Sequence, residues 1–363
     1  MATRFPYQTS ADALTKPAKN ATFFQGWTDA DTLNHDLLCA EMSRLAYADE
    51  PIVRASLEKI GFHSADFLPG NVRGTEGFVA RSDVLTVLAF RGTESDKFAD
   101  IISDAEILQA DNEAGTRVHA GFKKSYEIVK PDIAAFLAAR TTPLLITGHS
   151  LGAALATLAA VDTVPAGLIT FGSPQVGNAT FKQLFDSRQI PAVRRFADCC
   201  DLVTRVPPAR FDGPSFFTLF AELGNFASLP VLLRKVVEIP AKGAADALAV
   251  GFRGSRDSFV HVSPARYIRS DGSVADQSDA AQEAQDQTSA RTNYHHTGGF
   301  ILGTLKELLS ALHAPTNPIA DVRCFISRLF ERTGEAPVPL RDLADHAPLN
   351  YVSAFTGRTQ TPQ

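Results

Sequence analysis

Pro143-Leu144-Leu145-Ile146-Thr147-Gly148-His149-Ser150-Leu151-Gly152-Ala153-Ala154-Leu155-Ala156-Thr157-Leu158-Ala159-Ala160 is the stretch that decides how this chain is read. An apolar run of one strand's length enters a Gly-x-Ser-x-Gly turn, and a run of small residues leaves it as a helix. A strand-to-helix turn this tight strains the serine backbone and leaves no room for a Cβ two residues before or two after it. Gly148 and Gly152 stand at those two positions. The alanines let the helix lie close to the sheet, with its first N–H groups facing a charge that develops at the serine. Such a serine is a nucleophile candidate, and it needs a base and an acid that orients the base.

Working outward, strands and helices alternate. The periodicity predicts a helix from Leu33 to Asp49, ended by Pro51. A hairpin follows, Phe78-Val79-Ala80-Arg81 and Val84 to Phe90, then a helix from Phe122 to Ala139 that Pro131 is placed to split or restart. After the elbow come a buried strand at Gly167–Phe171, a short helix at Phe181–Arg188, a strand at Ala192–Phe196 and a resumption of the sheet at Ser258–Val262. Helices are read again at Phe300–Leu312, Ile319–Phe330 and near His346–Phe355. Asp271 to Thr292 is rich in Ala, Ser, Gln and Asp without aliphatic periodicity, so residues 271–292 read as an exposed polar loop. The alternation, with the elbow, predicts an α/β-hydrolase fold: a mostly parallel central sheet with helices on both faces. We expect one domain over residues 1–363, interrupted by a very apolar insertion at 213–257 that reads as helical cap and core.

Composition narrows the function. With 363 residues, 45% of them hydrophobic, the chain can bury a large core. A net charge of −5 gives no electrostatic case for nucleic acid or an anionic membrane surface. Met1 to Gly26 holds no apolar signal-type segment, and no run of about 18 apolar residues reads as a spanning helix. A cytoplasmic location, or export without a classical N-terminal signal, is therefore expected. Of the four cysteines, Cys199 and Cys200 are adjacent and no C-x-x-C occurs, so neither a disulfide framework nor a zinc site is indicated. No metal or organic cofactor is expected.

For the acid, Asp198 and Asp201 both follow the strand ending at Phe196, and position alone does not separate them. Downstream histidines are His261, His295, His296, His313 and His346. His261 lies in an expected strand, His295 and His296 in the polar loop, and His313 at a helix end. His346, in Asp345-His346-Ala347-Pro348, precedes a helix where a loop can deliver its ring. His119 and His149 read as structural histidines, and Cys199 and Cys200 as packed thiols.

Several of these motifs, taken in order, resemble the class 3 lipases, fungal-type triacylglycerol lipases and their bacterial relatives. Leu88-Ala89-Phe90-Arg91-Gly92-Thr93 is similar to the family's oxyanion strand, Val118-His119-Ala120-Gly121-Phe122 to its H-x-G-F step, and residues 147–154 to its elbow. Thr170 to Asn178 resembles the strand after the elbow, and Asp201-Leu202-Val203-Thr204-Arg205-Val206-Pro207-Pro208 the acid segment. The resemblance implies Ser150 as nucleophile, Asp201 rather than Asp198 as acid, and His346 as base, with His261 on a strand whose histidine is not catalytic. It implies the backbone N–H groups of Leu151 and Thr93 as the oxyanion hole, the Thr93 hydroxyl adding a donor. The chain departs from the family at the lid, where Ser95 to Ile101 carries Phe98 in place of a Trp, and at Thr204, where a proline is usual.

The expected activity is hydrolysis of carboxylic esters, most of all acylglycerols, through an acyl-enzyme, with substrate met at a lipid–water interface. Phospholipase A1, feruloyl esterase or polyester hydrolase activity would use the same machinery, and a catalytically silent interaction protein would keep the fold without the chemistry. Two segments are candidates for shielding the acyl groove, the lid around Phe98–Ile102 and the apolar stretch Ser215–Val237.

Overall fold

The computed structural model describes residues 5–19, 21–28, 34–70, 76–92, 109–207, 242, 258–276, 279–296, 338 and 341–356. Eight strands form the main sheet: β1 (Ser64–Leu68), β2 (Gly77–Arg81), β3 (Thr86–Phe90), β6 (Leu144–His149), β7 (Gly167–Phe171), β8 (Ala192–Asp198), β9 (Ala265–Ile268) and β10 (Val274–Ala275), in that spatial order. β4 (Gln109–Asp111) and β5 (Arg117–His119) pair separately. Neighbours from β3 through β9 run parallel, while β1, β2 and β10 join antiparallel at the edges.

Alternation along the strands divides the core into two layers. Ala80, Val87, Ala89, Leu145, Ile169 and Phe171 face one side, covered by α2 (His35–Leu45), α3 (Glu50–Glu58) and α9 (Pro348–Thr356). Val79, Leu88, Phe90, Ile146 and Leu168 face the other, covered by α4 (Ala120–Leu137), α5 (Leu151–Thr163) and α6 (Ala179–Ser187). A short α1 (Ala11–Thr15), α7 (Ala280–His296) and α8 (Arg341–Ala344) complete the described helices. This is the expected α/β-hydrolase arrangement, with helices on both faces of a sheet that is parallel through its centre.

Four local expectations are corrected. The chain does not stop being helical at Pro51. Asp49 begins a new helix there, and Pro51 sits in its first turn, where a missing N–H costs nothing. Pro131 leaves α4 unbroken, because the buried Val129 and Ile133 on either side hold it to the sheet. At residues 258–262 only an isolated bridge forms, Val260 to Gly177, and the strand begins at Ala265.

The fourth correction concerns the polar loop at 271–292, much of which is β10 and α7. Polar contacts, not an apolar stripe, hold α7. Asp279 starts it by accepting from the Ala281 N–H at 2.7 Å. Asp286 accepts from Tyr267 Oη at 3.0 Å and the Ser270 N–H at 2.9 Å. Arg291 makes a forked, buried pair with Asp342 of α8, Nη2 to Oδ1 at 2.7 Å and Nε to Oδ2 at 3.0 Å. The helices expected at 300–312 and 319–330, the lid around Phe98 and the insertion at 213–257 lie outside the described residues, Lys242 apart.

The Arg291–Asp342 pair is the main tie of α7 to the segment that precedes His346. Removing Arg291 leaves the buried Asp342 with Arg205, 3.7 Å away, as its remaining counter-charge, so Arg291→Ala should lower the unfolding free energy in urea by about 3 kcal/mol. Arg291→Met with Asp342→Leu should recover most of that loss. A loss below 1 kcal/mol for Arg291→Ala would show that α7 does not depend on the pair.

Candidate active site

Ser150 closes β6 and precedes α5 with φ 60° and ψ −129°, a conformation that L residues rarely adopt. Both glycines are required by contact. A Cβ on Gly148 would overlap the Gly152 carbonyl, and one on Gly152 would lie 2.5 Å from the Phe90 carbonyl oxygen. The Ser150 N–H donates to the Phe171 carbonyl at 3.0 Å, tying the turn to the end of β7. Leu151 is the first residue of α5, so its N–H has no acceptor within the helix. Ser150 Oγ is buried and makes no hydrogen bond among the described residues. Thr93, the other expected oxyanion residue, lies outside them.

Asp201 and His346, 145 positions apart in sequence, meet beside this turn. His346 Nδ1 lies 3.0 Å from Asp201 Oδ1 and 2.9 Å from Oδ2. Because a carboxylate only accepts, this contact places the proton on Nδ1 and makes Nε2 the basic nitrogen of the neutral ring. Asp201 Oδ1 also accepts from the Val203 N–H at 2.8 Å and Oδ2 from the Tyr351 hydroxyl at 2.5 Å. Burial and the adjacent Asp201 push Tyr351 well above the usual phenol range, so it stays a donor. Tyr351 in turn accepts from the Asp198 N–H at 3.1 Å. Asp198 itself turns Oδ1 to the Cys199 N–H at 2.9 Å, and it is Asp201 that faces the imidazole. The room for this pair comes from Gly172, the residue after Phe171. At φ 57° it is left-handed, and a Cβ there would sit 2.8 Å from Asp201 Oδ2 and 3.1 Å from the His346 ring.

The segment carrying His346 is held from below by its neighbour. Asp345 accepts from Tyr7 Oη at 2.5 Å, from the Cys200 N–H at 2.9 Å and from Arg341 Nε at 3.1 Å. Asn350 exchanges two bonds with Gln8, accepting from its N–H at 2.7 Å and donating to its carbonyl at 2.9 Å. The Val338 N–H donates to Thr9 O at 2.8 Å. The beginning of the chain thus straps the residues that deliver the imidazole.

Among the described residues, Cys199, Cys200 and Asp345 are the one group whose ligand atoms lie close enough to hold a metal ion. Their chemistry argues otherwise. Burial and the neighbouring Cys199 thiol push Cys200 well up, and Asp345 is occupied by three donor groups, one of them the always-charged Arg341. They are packed thiols, as expected.

His119 and His261 have structural partners. His119 is buried, stacks on Phe122 at 4.0 Å and accepts from the Gly121 N–H at 3.2 Å; burial lowers it to about 3. His261 is not on a strand. It lies in a loop with Nε2 2.8 Å from the Thr204 carbonyl, so it donates to the backbone of the acid segment. Desolvation, helped by Arg195, lowers it to about 3. His295 and His296 fall on α7, and His313 lies outside the described residues.

With this geometry in view, comparison with known proteins is informative. The family model of class 3 lipases matches residues 87–211, from β3 through the acid segment. A lipase of Rhizopus niveus is 37% identical over 155 residues, 38% of this chain and 39% of that one. A secreted mono- and diacylglycerol lipase of Fusarium solani is 41% identical over 107 residues, 27% of this chain and 32% of that one. A chloroplastic phospholipase A(1) of Arabidopsis thaliana is 36% identical over 112 residues, 26% and 25% of the two. The chain spans about two fifths or less of the length of these relatives. The matched family segment ends before His346, so it includes the serine and the acid but not the imidazole.

Tyr351, which holds the Asp201 carboxylate, is not singled out from sequence, because its contact is made by the fold rather than by a local pattern.

A pH effect follows from the buried histidines. His119 and His261 fall from an ordinary value near 6.5 to about 3 in the fold, so the unfolded chain binds more protons between those pH values. Stability should be full above pH 6.5 and decline as the pH falls toward 3. His261→Gln, which can still donate to Thr204, should make that decline shallower in urea melts between pH 6.5 and 4. An unchanged slope would mean that His261 is not buried neutral.

Proposed function

We propose that this protein is a serine carboxylic-ester hydrolase acting on acylglycerols, working as one α/β-hydrolase domain. The observation that carries the proposal is the pairing of His346 with Asp201 against Gly172, next to a nucleophile-type turn at Ser150. In this reading the Ser150 hydroxyl attacks the ester carbonyl as His346 Nε2 takes its proton. Asp201 holds the imidazole in the required tautomer and offsets its positive charge, with Val203 N–H and Tyr351 fixing the carboxylate. The tetrahedral oxyanion is held by the N–H groups of Leu151, at the start of α5, and of Thr93. His346 then returns the proton to the leaving alcohol, and water attacks the acyl-enzyme by the same route in reverse.

Similarity to lipases and to a mono- and diacylglycerol lipase supports the acylglycerol substrate class, which would be met at a lipid–water interface. The likeness to plant phospholipases A(1) favours phospholipid as the second reading. Export is compatible with the secreted relative. No described helix is long and apolar enough to cross a membrane.

The test is a panel of p-nitrophenyl esters, acylglycerol emulsions and phospholipid vesicles with three proteins. Ser150→Ala should abolish hydrolysis and fluorophosphonate labelling while the melting temperature holds. His346→Ala should lower kcat on the order of a thousandfold or more. Turnover of vesicles above emulsions by the parent would make the phospholipid reading the right one. Residual activity in Ser150→Ala above a hundredth of the parent would overturn the assignment.

A further inference from the structure

We infer that Tyr47 and His149 are positioning residues for the catalytic base, forming a hydrogen-bonded relay from the end of α2 to the main chain of His346. The inference rests on the hydrolase reading above and concerns a pair of side chains to which that mechanism gives no role.

The Tyr47 hydroxyl lies 2.9 Å from His149 Nδ1, and His149 Nε2 lies 2.9 Å from the carbonyl oxygen of His346. A carbonyl oxygen can only accept, so Nε2 carries the proton and donates. Nδ1 of the neutral ring is then an acceptor, and the tyrosine must donate to it. Each bond specifies the direction of the other. Burial, reinforced by the neighbouring His346, keeps His149 well below the usual imidazole range, which secures the neutral ring this arrangement needs.

Three parts of the site converge on the relay. His149 precedes the nucleophile, and its ring centroid is 4.5 Å from that of His346. The carbonyl it holds belongs to the base itself. Gly92, which precedes Thr93, is packed so closely that a Cβ there would overlap the Tyr47 hydroxyl and lie 2.6 Å from the His149 carbonyl oxygen. One phenol and one imidazole therefore set the spacing of the nucleophile turn, the base and the approach to the oxyanion residue.

The neutral state matters to the chemistry as well. His346 becomes cationic when it takes the serine proton, and a second cation whose ring lies 4.5 Å away would oppose that step. A neutral His149 with its N–H turned to the His346 carbonyl adds no such opposition. Loss of the Tyr47 hydroxyl leaves Nδ1 buried without a donor and removes one of the two bonds that fix the tautomer. The ring is then able to take the other tautomer, which turns a lone pair toward the His346 carbonyl and breaks the hold on the base.

The experiment combines kinetics with nitrogen-15 NMR of labelled histidine. Tyr47→Phe should lower kcat about tenfold with KM within a factor of about two, since one buried hydrogen bond is lost and no substrate contact is touched. His149→Leu should lower kcat at least as far, and His149→Gln, whose amide nitrogen can replace Nε2 as donor, should restore most of it. Adding Tyr47→Phe to His149→Leu should cost little more, because the two act as one unit. The NMR spectrum should show His149 protonated on Nε2 in the parent and altered in Tyr47→Phe. An Nδ1-protonated His149 in the parent, or unchanged kcat in both Tyr47→Phe and His149→Leu, would overturn the inference. A failure of the hydrolase reading is separately visible, as activity that survives Ser150→Ala.

Discussion

The close approach of α5 to β6 is the constraint on which everything else rests. Gly148 and Gly152 have main-chain atoms where a side chain would have to be, and Ser150 pays with a positive φ. The strain is sustained because both flanking elements are buried on every side, the strand in the sheet centre and the helix among Ala154, Ala156, Ala159 and Ala160. Small residues are needed on this helix because larger ones would push it away from the sheet and relax the turn. The position of Ser150 is thus defined by the packing of the core and not by a loop that could drift.

From that fixed point the site extends along strand ends. β7 contributes the Phe171 carbonyl to the turn and Gly172 to the space beside it, and β8 runs into the loop that turns Asp201 inward. The main-chain N–H of Val203 and the Tyr351 phenol occupy the carboxylate, so its charge is anchored before the imidazole arrives. Such a carboxylate has little freedom to rotate, and the tautomer of His346 follows from it. The Tyr47–His149 relay acts at the opposite end of the same residue, on its carbonyl, so side chain and main chain of the base are held independently.

Sequence made the centre of this architecture legible and its margins less so. Residues 144–172 read correctly as strand, turn, helix and strand because buried parallel strands are short apolar runs and the elbow needs glycine at fixed places. α7 was unreadable as a helix because it is held by polar contacts at irregular spacing, Asp286 accepting from the Ser270 N–H and Arg291 pairing with Asp342, which leave no apolar period. His261 looked like a strand residue because Phe259, Val260 and Val262 are apolar, yet they bury a loop. The choice between Asp198 and Asp201 needed the resemblance to a family, since both close the same strand and only the turn after it decides which one faces His346. Tyr47 left no trace in sequence because its partners are far along the chain.

The strap between residues 7–9 and residues 338–350 has a consequence for the order of events during synthesis. Tyr7 and Asp345 are 338 positions apart, and Asn350 bonds to Gln8 across a similar span. Everything from β1 through β8, the nucleophile turn included, leaves the ribosome well before the residues that carry the imidazole. A growing chain therefore displays a complete serine turn before His346 has been made, and Tyr7 and Gln8 wait for their partners until residues 345–350 are synthesised. The serine turn and the imidazole come together only when α9 docks on α2 and this strap closes beside them.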